Sequence, residues 1–124
     1  MTSHPTAIEL IEAVSRFIDE RAKPQLTGRD AFMARVAVNA LATVARELEQ
    51  GPAADAGAAE RLAALLGHEG DLPTLNDELC DRLASGEFDL LSPGVLDHLK
   101  ASTVDQVTID QPRYSGLAIA RGDA

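Results

Sequence analysis

The stretch RDAFMARVAVNALATVARELEQ, Arg29 to Gln50, decides the fold. It runs without Gly or Pro between Thr27-Gly28 and Gly51-Pro52. Ala, Val and Leu at this density, with no turn signal, predict a helix. At about 100° per residue, Met33, Ala34, Val36, Ala37, Val38, Ala40, Leu41, Val44, Ala45 and Leu48 fall within an apolar arc of roughly 240°. A helix apolar over that much of its circumference is expected to be wrapped by other helices. On that reading Val36→Asp would unfold the protein, because a charge would enter an apolar interface without a partner. The remaining sector holds Arg35, Asn39, Thr43 and Arg46, with Phe32 among them.

Composition sets the frame for this helix. The chain has 124 residues, which is one domain by length. Aromatic residues make up 3%, with no Trp, so the core must be aliphatic, which favours close-packed helices. Cys80 is the single cysteine, which excludes an internal disulfide and suits a reducing, cytoplasmic compartment. The opening MTSHPTAIE shows no signal-peptide pattern, and no apolar run approaches a membrane span. The net charge is −9, and −8 of it lies between Glu60 and Asp110. A chain this acidic repels phosphate backbones, so nucleic acid is not an expected partner, and its surface is well solvated.

Outward from the central helix, Thr6 and Glu9 have capping-box spacing and open a first helix. Ala7, Ile11, Val14 and Ile18 form its apolar stripe, Asp19–Lys23 is an i,i+4 pair, and Pro24 stops it. On the other side, GPAADAG (51–57) reads as a loop before a short helix over roughly 58–66, with Leu62, Leu65 and Leu66 inward. Asp71 caps a helix with Leu72, Leu75, Leu79 and Leu83 on one face, and Phe88 and Leu90 follow as core plugs. Ser92-Pro93 opens a last helix to about Asp110, with Leu96, Leu99, Thr103 and Val107 inward. The expected fold is all-α: a five-helix bundle wrapped around the central apolar helix at about 29–50. It forms a single helical domain over 1–116, with a loose C-terminal tail at 117–124.

Four segments carry a resemblance over nearly the whole chain: TAIELIEAV (Thr6 to Val14), AFMARVAVNALATVAREL (Ala31 to Leu48), LNDELCDR (Leu75 to Arg82) and QPRYSG (Gln111 to Gly116). Their order resembles a small bacterial family of uncharacterised all-helical proteins. Its members are typically encoded beside aminoglycoside-phosphotransferase-like kinases and acyl-CoA dehydrogenases. The resemblance implies an accessory, interaction role with such an enzyme as protein partner. It brings no catalytic residues, since the family carries no established activity.

Candidate chemistry is sparse. His4, His68 and His98 lie far apart, without the convergent ligands that zinc needs, so no metal and no cofactor is expected. Glu9-x-x-Glu12 and Glu78-x-x-Asp81 resemble the paired carboxylates of Mg²⁺-dependent nucleotide pyrophosphohydrolases. They sit away from the apolar stripes, however, whereas a magnesium site in a bundle turns its carboxylates inward. Cys80 borders the stripe of its helix and reads as a small buried hydrophobe. An enzyme acting alone is therefore poorly supported, and a Mg²⁺-dependent nucleotide pyrophosphohydrolase is a remote alternative. What remains is the polar stripe Arg35, Asn39 and Arg46, together with Arg113-Tyr114 at the exit of the last helix. The stripe is either internal hydrogen bonding, a partner-docking face, or a site for an elongated anionic ligand. Mid-helix Asn39 is expected to be buried and structural, and Arg46 to lie nearer solvent. Tyr114 is either a docking residue or a ring folded back over the core.

Overall fold

The structure, a computed structural model, describes residues 4–122. Among them it is all-α, with helices α1 (Ala7–Phe17), α2 (Gly28–Leu66), α3 (Leu72–Ala84), α4 (Val95–Asp110) and α5 (Gly116–Arg121) and no strand. The chain divides into two compact units, Met1–Gly51 and Pro52–Ala124, each taken by itself below.

In the first unit the capping box forms as its spacing predicts. The Thr6 N–H donates to Glu9 Oε1 at 3.2 Å, and the Glu9 N–H donates to Thr6 Oγ1 at 3.1 Å. Past α1 the backbone widens into a π turn, Ile18–Ala22, then tightens into a 3₁₀ turn, Lys23–Gln25. Pro24 explains the ending: it has no N–H to continue the ladder, and the backbone becomes extended at Leu26. Lys23 Nζ reaches Asp19 Oδ1 at 2.6 Å across one turn, the ion pair expected from the spacing.

The central stretch is helical, but it is not wrapped. Ala34, 8% exposed, is the one buried residue among residues 4–51, while Met33, Val36, Val44 and Leu48 are all more than 40% exposed. An apolar arc shows which side chains avoid water. It does not supply helices to cover them, and among the described residues of this unit α1 is the only other long helix. At Val36 an aspartate would meet solvent, so the expected unfolding by Val36→Asp is withdrawn.

The segment GPAADAG is also not a loop. Residues 51–57 are helical within α2, and Pro52 lies inside the helix. Proline there removes the hydrogen bond to the Leu48 carbonyl, and Leu48 is exposed enough for water to replace it. Ala53, Ala54, Ala56, Ala58 and Ala59 carry the highest helix propensity and offset the two glycines.

The second unit holds the leucine core. Leu62 and Leu66 of α2 meet Leu75 and Leu79 of α3, with Leu72, Leu83 and Phe88 packed against them. Asp71 caps α3 as its position predicts, its Oδ1 accepting from the Thr74 N–H at 2.8 Å. Leu90 remains 58% exposed and plugs nothing. The start of α4 also differs from expectation. Ser92 belongs to the preceding turn, where Asp89 Oδ1 accepts from the Leu91 and Ser92 N–H groups, and Gly94 stands at the N-cap. The Gly94 φ is +87°, and a Cβ there would lie 2.9 Å from Leu65 Cδ2. We expect Gly94→Ala to cost about 1–2 kcal/mol from left-handed strain alone. Chemical denaturation checks this, and an unchanged midpoint would contradict the geometry.

The buried face of α4 is rotated by one residue from the expected one. Val95, His98 and Ile109 are buried, whereas Leu96 is 57% exposed and Thr103 faces solvent. Beyond α4 there is structure where a loose tail over 117–124 was expected. α5 buries Leu117, and Arg121 Nη2 donates to Thr108 Oγ1 at 2.6 Å. The burial of Leu117 contributes about 1.5–3 kcal/mol toward the ordering cost of this short segment, and the hydrogen bonds of the helix and of Arg121 add to it. The last two tail residues, 123 and 124, lie outside the described residues, as do 1–3 of the expected domain.

Candidate functional site

The expected polar stripe lies on the first half of α2, with its burial inverted. Asn39 and Arg35 are exposed, and Arg46 is half-buried. Mid-helix position was the wrong guide, because coverage depends on which flank α1 occupies. Thr43 Oγ1 donates back to the Asn39 carbonyl at 3.1 Å and accepts from Arg46 Nη2 at 3.1 Å, which fixes Arg46 along the helix. Since the Asn39 side chain is exposed, Asn39→Ala is expected to change stability by less than about 0.5 kcal/mol. A loss above 1 kcal/mol in urea denaturation would restore the structural role.

Arg46 borders a groove of ≈450 Å³ between α1 with its π turn and α2. Glu12, Ser15, Arg16, Asp19 and Glu20 line one wall, and Val38, Leu41, Ala42 and Ala45 line the other beside Arg46. Three carboxylates against two guanidinium groups suit an anionic ligand poorly. At the far end of the chain, Arg113 and Tyr114 are exposed, Tyr114 by 60%, so its ring does not cover the core. Leu117 takes that place.

The second unit holds a buried polar cluster that sequence reasoning missed. Arg61 Nε donates to His98 Nδ1, and Arg61 Nη2 donates to Ser102 Oγ, both at 3.1 Å. His98 is 4% exposed, and burial, with the adjacent guanidinium, holds its pKa below 6.5. Its Nδ1 is already an acceptor and Ser102 is turned to the arginine, so the trio locks α2 to α4 and offers no activated nucleophile. The only sequence signal was that His98 and Ser102 fall one turn apart on the face of Val95 and Ile109.

His68 and Glu78 are also engaged. Glu78 bridges His68 Nε2 and Arg82 Nη2, each at 2.7 Å, and Arg82 lies over the Phe88 ring at 5.3 Å. The Glu69 carbonyl and Glu78 raise the pKa of His68. Glu9 caps its own helix, so both Glu9 and Glu78, members of the carboxylate pairs, have structural partners. Cys80 is exposed rather than buried. Among the described residues, no group of three or more His, Cys, Asp or Glu is placed to hold a metal ion.

The most distinctive surface is apolar. α1 and the first half of α2 share the groove above, and the chain turns back between them through the π turn, the 3₁₀ turn and residues 26–27, which sets the pair antiparallel. On α1, Leu10, Val14 and Phe17 stand about 100° around the helix from Ile11, Ser15 and Ile18. On α2, Met33, Val36, Ala40 and Val44 stand about 130° from Val38, Leu41 and Ala45. Both stripes are displaced in the same helical sense. In an antiparallel pair that places them on the same side, away from the groove. Leu10, Val14 and Phe17 are 51–62% exposed.

These features define an all-helical protein with an open, apolar face on its first unit. A family model described as a domain of unknown function, DUF6285, matches residues 24–114. The chain belongs to that family. The matched span takes in α2, α3 and α4, and leaves α1 and α5 outside. No curated protein and no solved structure matches the chain. No described helix is long and apolar enough to cross a membrane.

Proposed function

We propose that this protein works by association, as a cytoplasmic accessory subunit rather than as an enzyme alone. The reading is carried by the apolar face of the first unit. A contiguous exposed patch of this kind marks a surface that another molecule covers. The resemblance to proteins encoded beside aminoglycoside-phosphotransferase-like kinases and acyl-CoA dehydrogenases supplies the candidate partner. A solvent-facing Cys80 thiol is at home in the reducing cytoplasm.

The test is co-expression with each candidate enzyme, followed by purification through a tag on this chain. The wild type is expected to retain one of them, and the pair Val14→Asp and Val36→Asp to release it. Retention undiminished by those substitutions, or no retention of either enzyme, would count against the reading. The runner-up, an anionic-ligand binder using Arg35, Asn39 and Arg46, would instead show a thermal shift with acyl-CoA or phosphorylated ligands.

A further inference from the structure

We infer that the occupant of the apolar face is a second copy of this chain, joined as a two-fold symmetric pair of helical hairpins. The inference rests on the reading of that face as a docking surface and seats a second copy there. An enzyme partner is then held by the assembled pair, and Val14→Asp with Val36→Asp releases it by separating the two copies. Three observations point to a copy of itself.

The first is area. From their fractional exposures, Leu10, Val14, Phe17, Met33, Val36 and Val44 expose roughly 500 Å², against about 800 Å² per partner in a standard interface. Exposed Ala13 and Ala40, with flanking charged side-chain stems, extend the face toward that size. A flat two-helix face set against its own copy makes a four-helix layer, the usual way a helix pair closes a core.

The second is charge distribution. Met1–Gly51 holds seven Asp or Glu against six Lys or Arg, a net −1, while the remainder of the chain carries −8. Two copies can meet through the first unit with little repulsion, whereas an approach through the second sets like charges together. An anionic membrane surface is disfavoured for the same reason, since no excess of Lys or Arg borders the face.

The third is the pattern along α2. Arg29 and Glu47 are both exposed and lie on the same flank of the Met33–Val44 stripe, at its opposite ends. An antiparallel copy of α2 centred near Val38 places Arg29 of each chain opposite Glu47 of the other. Val36 then meets Ala40 of the other chain. Opposite charges at the two ends of one apolar stripe are what a two-fold, self-complementary interface requires.

Light scattering coupled to size exclusion at about 100 µM is expected to give twice the 13.1 kDa chain mass. The melting temperature should rise with protein concentration, because only the folded state associates. Arg29→Glu alone and Glu47→Arg alone should each weaken the dimer about tenfold, and the double swap should restore it to within about twofold. These residues face solvent within the chain, so the swaps read association without threatening the fold. A wild-type monomer at that concentration, a melting temperature independent of concentration, or a double swap as weak as the singles would overturn the inference. A monomer that still retains an enzyme through the face overturns the second copy and leaves the accessory reading standing. A monomer with no face-dependent retention overturns both.

Discussion

Leu75→Ala is expected to lower the free energy of unfolding by about 3–5 kcal/mol. Leu75 is fully buried, as is Leu62 beside it, and these two with Leu66 and Leu79 make up the buried leucine cluster of the second unit. Truncation removes the transfer energy of three carbons and leaves a cavity whose walls, anchored on two helices, relax only in part. Domains are stable by about 5–15 kcal/mol, so the loss approaches the whole margin. Urea denaturation followed by circular dichroism measures it. Leu96→Ala is the control: Leu96 lies on the face of α4 that periodicity favours, yet it is largely exposed. Its loss should stay within about 0.5 kcal/mol in the isolated chain. If Leu96 proved the costlier site, the rotation of α4 described above would be wrong.

The second large effect is expected from Arg61→Ala, at about 1–3 kcal/mol at neutral pH, because it leaves buried His98 Nδ1 and Ser102 Oγ without their donor. The substitution also changes the response to acid. In the native state burial, and then the Arg61 charge, depress the His98 pKa below 6.5. The unfolded chain therefore binds the proton first, and stability rises with pH across that interval. The contribution is complete above 6.5 and is lost as the pH falls from there toward the lower folded value. His68 acts in the opposite direction. Its pKa is raised by the Glu69 carbonyl and Glu78, so its contribution is complete below 6.5 and is lost as the pH rises through its folded value. Removing Arg61 removes one cause of the His98 depression, so the acid-side loss should shrink in the variant. Midpoints of urea unfolding at several pH values between about 5 and 8 separate the two histidines. His98→Asn should flatten the acid limb, and His68→Gln the alkaline one. An acid limb unchanged in His98→Asn would rule His98 out as its source.

Local chemistry was legible in several places where cause and effect lie within a few residues, though not at Ser92, which caps a turn instead of α4. The Thr6–Glu9 capping box, the Asp71 cap and the Asp19–Lys23 pair each follow from side chains three or four positions apart. The Leu75–Leu79 stripe of α3 was legible for the same reason, because a helix repeats its own faces. The merging of two expected helices through Pro52 was not. It turns on whether the freed Leu48 carbonyl meets water or protein, which no local pattern states.

The sequence by itself determined that this protein is all-α, where most of its helices begin, and which side chains water disfavours. Only the tertiary structure decided which of those side chains are covered. The Val36 and Leu75 stripes look equally apolar along the chain, yet Val36 stays open and Leu75 is sealed. The reason is physical. Periodicity belongs to one helix, whereas burial requires a second element at contact distance. His98 makes the same point in reverse: a histidine enters the interior because Arg61, thirty-seven residues earlier, arrives to hydrogen-bond it.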